Sequence, residues 1–154
     1  MELKTPKRKN TRLKGFDYTS SRYYFITACT QNHQNLFGMI QQDNDNGHMV
    51  LNRYGTVVKE HIQRIPMHHN GVYLNHYVIM PNHIHMIIEL DNGTTISLST
   101  IVGLLKSGIS REIGFSVWQR SFHDHIIRNE TDYKNIWNYI KNNPAKWAMD
   151  KYYN

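Results

Sequence analysis

An α+β fold, with helices packed on one face of an antiparallel sheet, is what this 154-residue sequence predicts. Three observations carry that expectation. Stretches rich in aromatic and β-branched residues are interleaved with stretches whose apolar residues recur every three or four positions. Their order is strand, strand, helix, strand, strand, helix, and then a final strand and helix. Two of the strands meet at Met80-Pro81-Asn82, a turn that folds one back antiparallel to the other. The length suits a single domain able to bury a core without disulfide staples.

Residues 1–20 form a basic arm, with Lys4, Lys7, Arg8, Lys9, Arg12 and Lys14, ahead of one domain spanning 21–154. Such an arm is either simply solvated or tracks phosphates with a salt-dependent affinity. The first strand reads from Arg22 to Thr30, with Tyr24, Ile26 and Ala28 sharing a face. Gln31 to Gly47 is a polar connection with a hairpin-like excursion around Phe37 to Ile40, followed by a short strand at His48 to Leu51. Asn52 is placed to cap a helix from Arg53 to about Ile65, stopped by Pro66. Its apolar stripe is Val57, Val58, His61, Ile62 and Ile65.

Val72 to Ile79 is the third strand, and the strand beginning at His83 is closed by Asp91-Asn92-Gly93. Ser97 or Ser99 caps a second helix through Ile113, with Ile101, Leu104, Leu105, Ile109 and Ile113 turned inward. Trp118 to Arg128 is extended and aromatic. Asn129 then caps a third helix whose first turn holds Glu130 and Asp132, as the helix dipole prefers. That helix ends at Asn142 or Asn143, before Pro144.

Composition narrows the function. The formal net charge of +6 favours a polyanionic partner, and nucleic acid is the expected one. Lys106 and Arg120 join Lys7, Arg8, Lys9 and Arg12 as candidate DNA contacts, whereas Arg111 reads as a solvated face. The single cysteine, Cys29, excludes an intrachain disulfide and a cysteine-rich zinc site, and fits a reducing cytoplasm. No window approaches the ~20 apolar residues of a membrane span. Met1 to Lys14 lacks an apolar run behind it, so no secretory signal is expected.

The stretch from Tyr77 to Leu90 carries the chemistry. On a strand, His83, His85, Ile87 and Glu89 point one way, and the apolar row Ile84, Met86, Ile88 and Leu90 points the other. Two imidazoles side by side can grip a divalent metal ion or a phosphate, or be ordinary surface histidines among the ten present. On the third helix, Tyr139 and Asn143 are four residues apart and share a face, while Ile136 and Ile140 can seat the helix on the sheet. A phenol is a poor nucleophile at its free pKa near 10. It can attack a phosphodiester if a divalent ion draws charge from the phosphate. His83 and His85 can hold such an ion, and Asn143 can add an amide oxygen.

The strand Tyr77-Val78-Ile79-Met80-Pro81-Asn82-His83-Ile84-His85 resembles the histidine–hydrophobic–histidine strand of the single-tyrosine HUH transposases. The blocks Trp118 to Glu130 and Tyr139-Ile140-Lys141-Asn142-Asn143-Pro144-Ala145-Lys146-Trp147 are similar to those of the REP-associated tyrosine transposase subgroup. The resemblance runs from near Tyr23 to Trp147. It implies a ferredoxin-like sheet and metal-dependent cleavage and rejoining of single-stranded, hairpin-bearing DNA. It further implies Tyr139 as the nucleophile that becomes 5′-phosphotyrosyl-linked, His83 and His85 as metal ligands, and Asn143 as the polar residue one turn on. The ion implied is Mg²⁺ or Mn²⁺, and on ligand chemistry two imidazoles suit Mn²⁺ at least as well.

His123 and His125 share a strand face as well. His125 is expected to line the active site or to make a structural hydrogen bond rather than bind metal. Tyr133 is the competing nucleophile, without an Asn143 equivalent one turn on. Other functions remain open at this point: a hairpin-binding protein with little or no cleavage, a replication or relaxase-type nickase, and a metal-dependent hydrolase. The expected partner is single-stranded DNA bearing a hairpin, with no membrane and with the chain acting as a monomer or a homodimer.

Overall fold

The computed structural model describes residues 21–43 and 46–154; the basic arm, with Lys7, Arg8, Lys9 and Arg12, lies outside the described residues. The core is a four-stranded antiparallel sheet in the order β4-β5-β1-β6. Its strands are β1 (Ser21–Cys29), β4 (Val72–Met80), β5 (His83–Asp91) and β6 (His123–Ile127). Helix α1 (Arg53–Gln63) and the short α2 (Ile65–His68) join β1 to β4, and α3 (Leu98–Ile113) joins β5 to β6. This is the strand–helix–strand–strand–helix–strand connectivity of a ferredoxin-like sheet. A further helix, α4 (Glu130–Asn142), follows β6, and a 3₁₀ segment, Pro144–Met149, follows α4.

Helices α1 and α3 pack on one face of the sheet, as the sequence predicts. Val58, Ile62, Ile101, Val102, Leu105 and Ile109 meet Ile26, Ile84, Met86 and Ile88 there. Helix α4 covers the opposite face, where Tyr133 and Ile140 join Tyr23, Ile87 and Ile127. Helices thus lie on both faces, and the physical reason is in β5: every residue from His83 to Leu90 is buried, so neither row of side chains is left to water. His83, His85 and Glu89 are buried with it.

Local signals set the helix ends. The Asn52 side chain accepts from the Gly55 amide, Ser97 from Thr100, and Asn129 from Asp132, each satisfying an amide that the first turn leaves free. Helix α1 stops two residues short of the expected Ile65. Pro66 begins a new helical turn instead of closing the old one, because a first-turn proline has no amide to lose. Leu104 is 54% exposed and Val102 takes its expected place in the core. The excursion after β1 forms a ribbon of its own, β2 (Gly38–Asp43) paired with β3 (Asn46–Leu51), apart from the main sheet.

Candidate active site

Pairing of the central strands delivers the two imidazoles to one place. His83 lies opposite Cys29, and His85 opposite Thr27. Each ring is anchored through Nδ1. The Thr27 hydroxyl is 2.8 Å from His85 Nδ1, and Asn82 Oδ1 is 2.8 Å from His83 Nδ1. Asn82 fixes more than an angle. Its Nδ2 donates to the carbonyls of Tyr152 at 2.6 Å and His33 at 3.3 Å, so the oxygen of the amide must be the atom facing His83. That oxygen can only accept, and His83 therefore carries its proton on Nδ1 and a lone pair on Nε2.

The two imidazoles are 4.6 Å apart between ring centroids. Burial drives the His83 pKa down to about 3, opposed in part by Asn143 and assisted by His33 and Lys151. Burial also holds His85 well below the ordinary histidine value, with His83 and Lys151 adding to the effect. Both rings are neutral at pH 7, which is the form that binds a metal.

Helix α4 brings the phenol. Tyr133 and Ile140 are buried on its inner side, and Tyr139, one residue before Ile140, is 41% exposed at the border of the packed face. The Tyr139 ring lies 5.3 Å from His85 and meets Phe25 edge-on at 6.1 Å; Phe25 in turn stacks on His85 at 5.1 Å. The nucleophile candidate thus lies against His85. One turn on, Asn143 is buried and its Nδ2 donates to the Tyr139 carbonyl at 3.4 Å. Burial raises the Tyr139 pKa, Asn143 lowers it, and Asp150 raises it again. A cleft of ≈ 470 Å³ opens beside Tyr139, bordered by Asn138, Asn142, Lys146 and Lys151.

The chain's last residues complete the surroundings. The Asp150 side chain is 2% exposed, with Oδ2 3.9 Å from His83 Nε2, while its Oδ1 accepts from the Tyr152 amide. The Tyr152 ring lies 4.5 Å from His83 and 6.2 Å from His85, covering the pair from outside. Four buried polar atoms are left here without hydrogen-bond partners among the described residues: His83 Nε2, His85 Nε2, Asn143 Oδ1 and Asp150 Oδ2. Leaving one such atom unsatisfied costs about 1–3 kcal/mol, so four together mark a site built for something else to bind.

No protein-family model matches the chain. An uncharacterized protein of Haemophilus influenzae is 38% identical over an alignment of 172 positions, covering 95% of this chain and 93% of that one. A REP-associated tyrosine transposase of Escherichia coli K12 is 34% identical over 79 residues, which is 51% of this chain and 47% of that one. The solved structure of a REP-associated tyrosine transposase bound to a REP hairpin matches with a TM-score of 0.63 at 22% identity, covering 89% of this chain and 74% of that one. The chain is thus similar in sequence to REP-associated tyrosine transposases and shares their fold. These likenesses support a transposase-like function.

Within this fold, the residues expected at the site divide clearly. His83, His85, Tyr139 and Asn143 come together. His125 does not join them: it is exposed on β6, and its Nε2 pairs with Asp132 Oδ2 at 2.7 Å, tying the edge strand to the first turn of α4. Tyr133 is fully buried edge-on against Tyr23, in the core rather than beside the imidazoles. Lys106 spends its ammonium on the carbonyls of Gln119, Arg120 and Ser121, at 2.8, 3.4 and 3.2 Å, and holds that segment in place. Arg120 is exposed on the same segment.

Sequence reasoning missed Asn82, Thr27, Asp150 and Tyr152. Asn82 stood in plain sight beside His83 but read only as a turn residue. The other three reach the site through strand register or the return of the C-terminal segment, and no local pattern signals either.

Proposed function

We propose that this protein cleaves and rejoins single-stranded DNA at hairpin-bearing elements through a 5′-phosphotyrosine on Tyr139. One observation carries the reading: a partly exposed phenol lies against His85, one of two adjoining buried, neutral imidazoles whose Nε2 atoms have no partner among the described residues. Such a pair is idle in a core and apt in a metal site. Among the described residues no three His, Cys, Asp or Glu side chains gather as a ready-made cage, so an amide oxygen has to complete the donor set. Asn143 Oδ1 is that oxygen, and Asp150 Oδ2 faces His83 beside it. A divalent cation held there, Mn²⁺ or Mg²⁺, would supply Lewis acidity toward the scissile phosphate.

The chain's own residues do the rest. Asn82 and Thr27 hold the imidazoles so that both Nε2 lone pairs stay free, a second layer of contacts of the kind that sets ligand orientation. Tyr139 Oη attacks phosphorus; the P–O3′ bond breaks, and the phenolic proton ends on the released 3′-hydroxyl. One phosphodiester becomes one phosphotyrosine, so no nucleotide cofactor is consumed. A 3′-hydroxyl of the same or another strand reverses the step. Asn143, buried one turn on from Tyr139, lowers the Tyr139 pKa against the burial that raises it, which would favour the phenolate. Lys146 and Lys151, at the cleft beside Tyr139, favour the polyanion there. The hairpin specificity rests on the likeness to a REP-associated tyrosine transposase solved with a REP hairpin bound.

A second reading, a hairpin-binding protein with little or no cleavage, is favoured by the Tyr152 ring lying over His83. Peptide mass spectrometry after incubation with hairpin DNA and Mn²⁺ separates the two. The first reading predicts a nucleotide-modified peptide containing Tyr139. An unmodified Tyr139 in protein that binds the same DNA tightly would support the second.

A further inference from the structure

Away from the histidines, a groove of ≈ 470 Å³ runs between α3 and the segment 118–122, large enough for a nucleotide-sized guest. Gly103 and Ser107 of α3 line one side; Trp118 and Phe122 give the other an aromatic wall, with Arg120 at the rim. A Cβ added at Gly103 would meet nothing within 4 Å, so the missing side chain leaves real space. No acidic side chain borders the groove, while Lys106 and Arg120 do. Aromatic surface and unopposed positive charge together describe a seat for a base and its phosphate.

Its place in the sheet connects it with the chemistry. Trp118 bridges to Thr30, and the Gln119 amide donates to the Cys29 carbonyl at 2.9 Å. Cys29 is the register partner of His83. The groove's rim is therefore two strand spacings from the His83 backbone, about 10 Å. That is roughly the span of three stacked nucleotides.

From this juxtaposition we propose that the α3 groove seats an unpaired nucleotide of the same DNA strand that Tyr139 attacks. The base lies against Trp118 and Phe122 beside Gly103, and Arg120 takes the adjoining phosphate. Lys106 positions the rim by holding the carbonyls of residues 119–121. The proposal rests on the strand-transfer reading and adds where the strand runs after leaving the active site.

The test measures binding in a Tyr139→Phe background, where no covalent product can form. Two labelled DNAs are compared by fluorescence anisotropy: a blunt hairpin and the same hairpin with unpaired extensions. Gly103→Leu fills the groove from an open helix position, and Arg120→Ala removes the rim cation. Arg111→Ala, exposed on the same helix but outside the groove, is the control. Both groove variants are expected to weaken the extended DNA roughly tenfold and to leave the blunt hairpin unchanged. Arg120→Ala should also lower the salt slope by about one phosphate contact. Unchanged binding of extended DNA by Gly103→Leu, or equal loss on both DNAs, would overturn the groove alone. If the unsubstituted protein bound neither DNA, the strand-transfer reading itself would fall, and the groove with it.

Discussion

Replacing Asn82 tests how the turn before β5 prepares the histidines. In Asn82→Ala three hydrogen bonds vanish at once: the acceptor for His83 Nδ1 at 2.8 Å and the donors to Tyr152 and His33 at 2.6 and 3.3 Å. Asn82 is fully buried, so water does not replace them at once. At about 1 kcal/mol for each bond, with the buried His83 Nδ1–H left without an acceptor, the loss is about 4–6 kcal/mol. Loss of a second-layer partner of a metal-binding histidine typically weakens the metal about 10–100-fold. Asn82→Asp separates the two effects. It keeps the oxygen that accepts from Nδ1–H but sets a carboxylate against two carbonyls, so it should be destabilised while binding Mn²⁺ as tightly as the unsubstituted protein. Urea unfolding of metal-free protein gives the stabilities, and calorimetric titration with Mn²⁺ gives the affinities. An alanine variant that bound Mn²⁺ normally would refute the argument that this amide readies His83, even if its stability fell.

Three further outcomes follow from the same structure. The pKa of His83 is about 3 when folded against about 6.5 unfolded, and His85 is shifted the same way. The unfolded chain therefore binds more protons, so stability of the metal-free protein should fall as the pH drops from 6.5 toward 3; a flat urea midpoint across that window would contradict the burial argument. Gly114 closes α3 at φ +105°, with open space where a Cβ would sit, so Gly114→Ala should cost about 1 kcal/mol of stability from backbone strain alone, read by thermal unfolding. The His125–Asp132 pair is largely exposed, so His125→Ala should shift stability by less than about 1 kcal/mol and leave covalent DNA attachment unchanged; loss of attachment would return His125 to the active site.

What was legible in the sequence was local. Asn52 and Asn129 sit one residue ahead of apolar periodicity, and both caps form where that pattern places them. The alternation through His83 and His85 put both imidazoles on one face, and the four-residue spacing put Asn143 beneath Tyr139. What was not legible depends on distant parts of the chain. The sandwiching of β5 between two layers buries His83 and His85 instead of leaving them at a surface. Leu104 satisfies the helical period, yet the sheet lies toward Val102, so it stays exposed. Asp150 and Tyr152 arrive from some seventy residues away through a return of the chain that no periodicity encodes. The stretch from Trp118 to Arg128 read as one extended block, whereas only His123–Ile127 is strand and the first part forms a groove wall.

The central claim is that Tyr139 forms a covalent bond to DNA beside the His83–His85 pair. Its most direct test is a denaturing gel of end-labelled single-stranded hairpin DNA, drawn from sequence flanking the gene, incubated with the protein and Mn²⁺. The account predicts a slow protein–DNA band that disappears with chelator and in Tyr139→Phe, yet persists in Tyr133→Phe. A band that survives Tyr139→Phe, or tight DNA binding with no band on any flanking sequence, would contradict it.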